Sequence, residues 1–199
     1  MSSVPVPDIE KIRERFFPYQ LPSGFIIKAV PEEEMRAFLN TAFKDVFPES
    51  GEHPRFLLSP ERREQLQPMY KLYKVLHHES FLFFDQNGSP VGWHMGEAED
   101  MLTYYMRNTG VVPSLQNNGI YKAFLRRLTE YLTAIGYERI SSHYQATNRR
   151  ILIFKLKEGF DIAGFELTEN WGPLVKLVKL LPQDRRESFY RQYGKLDHM

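Results

Sequence analysis

The stretch with the most chemistry in it is Val111-Val112-Pro113-Ser114-Leu115-Gln116-Asn117-Asn118-Gly119-Ile120-Tyr121. A β-branched and aromatic run ends at Val112, a short polar loop turns, and an amphipathic helical pattern starts near Gly119. The start of a helix leaves about four backbone N–H groups without intrahelical partners, at the positive end of the dipole. Such an end takes anions, phosphates above all. Gly119 lets the backbone approach a phosphate closely, and Asn117 and Asn118 tolerate tight turn dihedrals. Many loops of this composition bind nothing, so the motif also reads as a plain helix cap. Asn148, at the head of the run Asn148-Arg149-Arg150-Ile151-Leu152-Ile153-Phe154, is a helix cap that could also face a ligand.

Other polar residues have bland readings beside functional ones. His94 and His143 each sit alone in strand-like runs, where a histidine is most often structural. His143 alternates with Tyr144 and so faces the other side of its strand. The adjacent His77-His78-Glu79, read at the end of a helix, diverge and lack a third ligand nearby, so no metal site is expected. The acidic group Glu97, Glu99 and Asp100 is either a solvated turn or a lure for a cationic amine. Lys155 reads as a solvated helix residue or a phosphate contact. No Gly-x-Ser-x-Gly or His-Glu-x-x-His motif is present to support a hydrolase.

These residues need elements to position them. Asp8 caps a helix to Phe17, and Gly24 to Val30 is a strand. Pro31 opens a helix that runs to about Phe47 with Met35, Phe38, Leu39 and Phe43 on one face. Residues 48–58 read as a loop. Ser59 to His78 is helical, bent at Pro68. Phe81–Phe84 and Val91–Glu97 form a hairpin across Asn87-Gly88, and Leu102–Val112 is a third strand. A helix from Gly119 to Ile135 stops at Gly136. A strand (Arg139–Gln145), a helix (Asn148–Lys157), two strands (Asp161–Leu167 and Leu174–Leu181) and a tail helix (Gln183–Tyr193) follow. Hairpins join the middle strands and helices the later ones, which predicts a mixed sheet with helices on its faces.

The 199 residues suit one domain, at a size that buries roughly 70% of the unfolded chain's surface. With 26 Lys+Arg against 25 Asp+Glu the charge nearly cancels, which argues against a nucleic-acid partner. The chain has no Cys, so no disulfide framework, no Cys nucleophile and no Cys-ligated zinc are available. The proline-rich start does not read as a signal peptide, and the apolar runs are too short for a membrane span. A cytoplasmic protein is the expectation.

Val112-Pro113-x-x-Gln116-x-x-Gly119-x-Tyr121 resembles the acyl-CoA signature of the GNAT superfamily of N-acetyltransferases, Arg/Gln-x-x-Gly-x-Gly/Ala after a strand ending in Val. Asn148 to Phe154, closing with Gly159-Phe160, resembles that family's second acyl-CoA helix. The element order from Phe25 to Leu181 is also similar. The resemblance implies a GNAT-like α/β (α+β) fold: a mixed, mostly antiparallel twisted sheet of about seven strands flanked by helices. The domain would be single, 1–199, with a core of about 25–181, an N-terminal helix in 1–20 and a helical tail in 182–199.

It further implies acetyl transfer from acetyl-CoA, as co-substrate and without a metal, to a small-molecule or peptide amine. Attack on the thioester would be direct, and the protein a monomer or homodimer. A non-catalytic CoA-binding or sensing module of the same fold is the alternative. Backbone groups at Val111 and Val112 would pair with pantetheine. Gln116, Asn117, Asn118, Gly119, Ile120 and Tyr121 would hold the pyrophosphate, and Asn148 would contact the cofactor. Tyr105 and Tyr144 are the catalytic candidates lining the acceptor site. Two positions depart from the family pattern. Tyr121 stands where Gly or Ala is usual, and Lys155 stands where many members carry the Tyr that protonates the leaving thiolate. The Glu used as a base in the lysine acetyltransferase branch falls near Tyr105.

Overall fold

The computed structural model describes residues 7–48, 59–168 and 171–194. Its elements in chain order are α1 (Ile9–Phe16), β1 (Tyr19–Gln20), β2 (Ile26–Ala29), α2 (Glu32–Val46), α3 (Pro60–Gln65), α4 (Gln67–Tyr73), β3 (His78–Phe84), β4 (Pro90–Ala98), β5 (Thr103–Val111), a 3₁₀ turn (Pro113–Leu115), α5 (Ile120–Ile135), β6 (Arg139–Gln145), α6 (Arg149–Lys157), β7 (Asp161–Thr168), β8 (Gly172–Leu180) and α7 (Gln183–Tyr193). The strands form one eight-stranded sheet in the order β1-β2-β3-β4-β5-β6-β8-β7. Every neighbouring pair is antiparallel except β5 and β6. The mixed, mostly antiparallel sheet is therefore as expected, with the two-residue β1 as an additional strand.

Most boundaries follow the sequence signals. Asp8 caps α1 by accepting from the Lys11 N–H at 3.2 Å, and α5 stops at Gly136. The helix expected over 59–78 is two short helices, and His78 already belongs to β3. Pro68 sits in the first turn of α4, where its missing N–H costs nothing. Apart from Pro48, the loop expected at 48–58 lies outside the described residues, as do Met1 to Val6 and the last five residues of the tail.

The core has two parts, one on each face of the sheet. On the first face Phe81, Phe83, Tyr104 and Ile140 pack under Phe124, Leu128 and Tyr131 of α5. On the second, Leu82 and Trp93 pack under Met35 and Ala42 of α2. Burial of the large apolar and aromatic side chains supplies the main driving force for both.

Two irregularities in the middle of the sheet create the site. The first is in the β4–β5 pair. Met95 pairs with Asn108 and Glu97 with Tyr105, so two steps along β4 oppose three along β5. The extra residue is a bulge, which bends the strand and re-aims its side chains. As a result Tyr104 and Thr109 both reach His94 on one face. The second irregularity is in the parallel pair. β5 and β6 pair only over Thr103–Tyr105 and Arg139–Ser141. Beyond that point they separate, and the β6-facing edge of β5 has no strand partner.

Candidate active site

The gap between the separated strands is a cleft of about 620 Å³. Its floor is the free edge of β5 from Met106 to Val111, and one end is closed by Gln116 to Lys122 at the start of α5. Asn148, Ile151 and Phe154 line it from α6, and Val46, Phe47, Trp171 and Leu174 line it from the opposite face.

At the α5 end, Asn117 and Gly119 both have left-handed backbone, with φ of 71° and 77°. A Cβ at Gly119 would meet nothing within 4 Å, so the space in front of it is open. Gly119 is the N-cap and offers no side-chain cap, which leaves the first-turn N–H groups of α5 free for an outside acceptor. Ile120 is buried and pins the helix start to the core. Lys122 and Arg150 add positive charge to the lining. Donors on a left-handed backbone, a dipole end and two cations form a cradle for a polyanion.

Gln116 and Val112 behave differently from expectation. Gln116 Nε2 donates to the Val111 carbonyl at 3.1 Å, so its side chain holds the end of β5. The Val112 N–H donates to the Val91 carbonyl at 2.9 Å and is not free for an added strand. Val112 packs against the core and does not line the cleft, whereas Val111 does. Asn118 Nδ2 reaches the Leu115 carbonyl at 3.4 Å. Asn148 both caps α6, accepting from the Ile151 N–H at 3.4 Å, and faces the cleft.

The α5–α6 wall carries two hydroxyls at the cleft. The Tyr121 and Tyr144 hydroxyls lie 3.3 Å apart. Burial raises both above the ordinary phenol value, so both keep their protons. Tyr121, the departure from the family pattern, thus turns its hydroxyl toward β6. Lys155 is neither solvated nor a phosphate contact: it is fully buried and is the one buried residue of α6. Its Nζ lies 3.1 Å from Met106 Sδ and 4.1 Å from the centre of the Phe160 ring. Burial, with Lys179 nearby, pushes its amine well below the usual lysine range. The sequence hides this because α6 lies so flat on Phe160 and β5 that a lysine fills the innermost position.

The opposite wall carries Tyr105, Arg107 and His143. Tyr105 and His143 meet edge to face at 5.2 Å, and burial pushes the Tyr105 phenol up to about 12. His143 Nε2 is 2.8 Å from Glu166 Oε2, though off line for a straight hydrogen bond. Burial lowers the His143 pKa, Glu166 and Glu99 oppose that, and Lys176 reinforces it. Tyr105 and Tyr144, the two sequence candidates, therefore stand on opposite walls of one cleft.

Two other sequence readings are corrected, and the structural reading of His94 holds. The acidic group Glu97, Glu99 and Asp100 is no lure for an amine. Glu97 holds Arg107, Glu99 holds Ser141 and Lys176, and Asp100 pairs with Arg139. His77 and Glu79 do not diverge: they lie on one side of the chain entering β3, with His77 Nε2 2.7 Å from Glu79 Oε1, and Arg13 and Tyr131 also bind that carboxylate. No metal-binding group of side chains exists among the described residues. His94 is a satisfied core histidine, bonded to Thr109 Oγ1 at 2.7 Å and Tyr104 at 3.0 Å, with its pKa lowered by burial to about 3.

The sequence profile of the Acetyltransferase (GNAT) family matches residues 28–160. The chain belongs to that family. Solved structures agree on the fold. A spermidine/spermine N-acetyltransferase from Vibrio cholerae is 14% identical with a TM-score of 0.58, over 83% of this chain and 98% of its own. An IAA acetyltransferase from Bacillus cereus is 18% identical with a TM-score of 0.56, over 79% of this chain and 99% of its own. No curated protein matches by sequence. No helix among the described residues is long and apolar enough to cross a membrane.

Proposed function

We propose that this protein moves an acetyl group from acetyl-CoA to a primary amine by direct attack on the thioester. In this reading the chain works as a single acetyltransferase-like domain over 1–199, in the cytoplasm, as a monomer or homodimer on a small-molecule acceptor. The observation that carries it is the cleft between β5 and β6, with the unpaired strand edge along its floor and the open cradle at Asn117–Gly119. The cradle fits the phosphates of CoA in charge and in space. The free edge of β5 fits an extended amide-bearing arm added as a strand.

The thioester supplies the activated acyl group. The chain's residues do the rest. The first-turn N–H groups of α5, with Lys122 and Arg150, hold the anionic end. Val111, through its backbone, and Asn148 line the arm. A free N–H of β5 past the bulge stabilises negative charge on the thioester oxygen, an interaction type worth roughly 2.7–4 kcal/mol per donor. The attacking amine must shed a proton. His143, held by Glu166, accepts it beside Tyr105, which packs the ring in place. On the other wall Tyr144, paired with Tyr121, keeps its proton and can give it to the departing sulfur. Lys155 backs that pair from behind Met106. Attack is direct because the chain offers no cysteine to carry the acyl group.

Thermal unfolding with acetyl-CoA tests the reading. Ligand at 100 times its Kd stabilises by about 2.7 kcal/mol, which for this size is a shift of roughly 5–11 °C. Absence of a saturable shift at millimolar ligand overturns the proposal. A shift without CoA release on any amine supports the alternative, a CoA-binding module, motivated by the buried Lys155 at the position of the family's acid.

A further inference from the structure

The acceptor half of the cleft has a charge pattern of its own. Among the described residues, the lining of the whole cleft includes no Asp or Glu side chain, and its charged groups are Arg107, Lys122 and Arg150. Lys122 and Arg150 stand in the first turns of α5 and α6, with the cradle. Arg107 stands apart from them. It lies two residues past Tyr105 on the same strand, just beyond the point where β5 and β6 separate.

Arg107 is held like a mounted tool. Glu97, nearly buried, takes its Nε at 2.7 and 2.9 Å and also its Nη2. The Tyr73 hydroxyl accepts from Nη2 at 2.5 Å. That fixes one edge of the guanidinium plane. Nη1 has no partner among the described residues, and the side chain remains 46% exposed. A rigid guanidinium with an unpaired edge in a cleft wall suits a planar anion such as a carboxylate. In the same cleft Val46, Phe47, Tyr105, Trp171 and Leu174 give apolar and aromatic surface. A polyamine would find no carboxylate to pair with there, because Glu97 and Glu166 are engaged by Arg107 and His143.

Resting on the transferase reading above, we infer that the acceptor is a primary amine bearing its own carboxylate and an apolar side chain, an apolar amino acid, with Arg107 Nη1 reading the carboxylate. The amine then lies toward His143 on the same wall. The nitrogen–acyl bond forms as the sulfur–acyl bond breaks. The ammonium loses two protons: one goes to His143, and the other restores the proton that Tyr144 gives to the sulfur, which leaves as the thiol.

The test follows CoA release from acetyl-CoA with matched pairs: L-phenylalanine against phenethylamine, L-leucine against isoamylamine, and spermidine as the cationic control. The acid of each pair should be preferred at least about tenfold in kcat/KM, since a hydrogen bond to a charged group is lost in its partner. R107Q should collapse that ratio toward one, through KM more than kcat. Because R107Q strands the Glu97 carboxylate, the R107Q/E97Q double variant is run beside it, and the acetyl-CoA thermal shift reports whether each is folded. Preference for phenethylamine or spermidine, an unchanged ratio in the folded double variant, or no turnover of either acid while acetyl-CoA binds each overturns the acceptor assignment alone. Absence of an acetyl-CoA shift in the wild type overturns the transferase reading and the acceptor class together.

Discussion

On the α5–α6 wall of the cleft, Tyr121, Tyr144 and Lys155 meet no carboxylate among the described residues. On the facing wall, Arg107 pairs with Glu97, His143 with Glu166, and Lys176 with Glu99. Both walls rise from the same two strands. On the first, burial dominates: it holds phenols protonated, although the bond to Tyr121 counters it at Tyr144, and it pushes an amine toward neutrality. On the second, partners oppose burial in part: Glu97 keeps Arg107 charged and fixed, while burial still lowers the His143 pKa. An unpaired buried group is a proton store or a cost in stability, whereas a paired one is a positioning device.

The contrast can be broken most severely at His143. H143Q should lower kcat by about 100-fold or more, the range for removing a positioned base. Its neighbours Tyr105, Glu166, Glu99 and Lys176 set the direction of the pH profile. Because the His143 pKa is lowered, the ring is protonated only below about 6.5. Wild-type activity should rise with pH through a value below that, and H143Q should lose this acidic limb. E166Q should keep the limb with a smaller loss of rate. A limb unchanged in H143Q would exclude His143 as the base.

Next in size is the cradle. Gln116→Ala with Gly119→Glu places a carboxylate at a left-handed position that disfavours side chains and frees the Val111 carbonyl. Acetyl-CoA affinity by calorimetry should drop about 10- to 100-fold, the value of one or two charge-assisted bonds. Circular dichroism should show the fold retained.

Lys155 sharpens the contrast from the other side. K155M removes an amine with no counter-ion and keeps most of the volume, so the variant should be more stable by about 1–3 kcal/mol. The sign of the pH effect follows. The folded pKa is depressed, so the unfolded chain binds a proton that the native state does not, and wild-type stability rises with pH toward the lysine value near 10.5. Melting temperatures measured across pH 7–10 should rise less steeply in K155M. The smallest effect is expected at N148A. Its cap bond is long, 3.4 Å, so about 0.5–1 kcal/mol of stability should go, with a few-fold change in acetyl-CoA affinity.

Much of the fold was legible because local rules and the tertiary answer agree. Asn87-Gly88 turns the β3–β4 hairpin, Gly136 ends α5, and the period-2 runs became strands. The break between α4 and β3 was missed because Lys74 to His77 carries neither Gly nor Pro, and only pairing of His78 with Glu97 ends the helical reading. The cradle was legible for the same local reason, since Asn117 and Gly119 are the residue types that adopt positive φ. Arg107 and Glu97 were not linked in sequence, because a ten-residue separation across a bulged hairpin has no periodic signature.

By itself the sequence determined most of the elements, the family resemblance and the end of the cleft that suits an anion, because those depend on backbone dihedrals and side-chain periodicity within a few residues. The tertiary structure decided that Lys155 is buried, that the acidic group Glu97, Glu99 and Asp100 is spent in pairs, and that Tyr105 and Tyr144 face each other across a gap. Those outcomes depend on burial and on charges brought together from distant strands, and both arise only when the sheet closes up to β5 and then parts from β6.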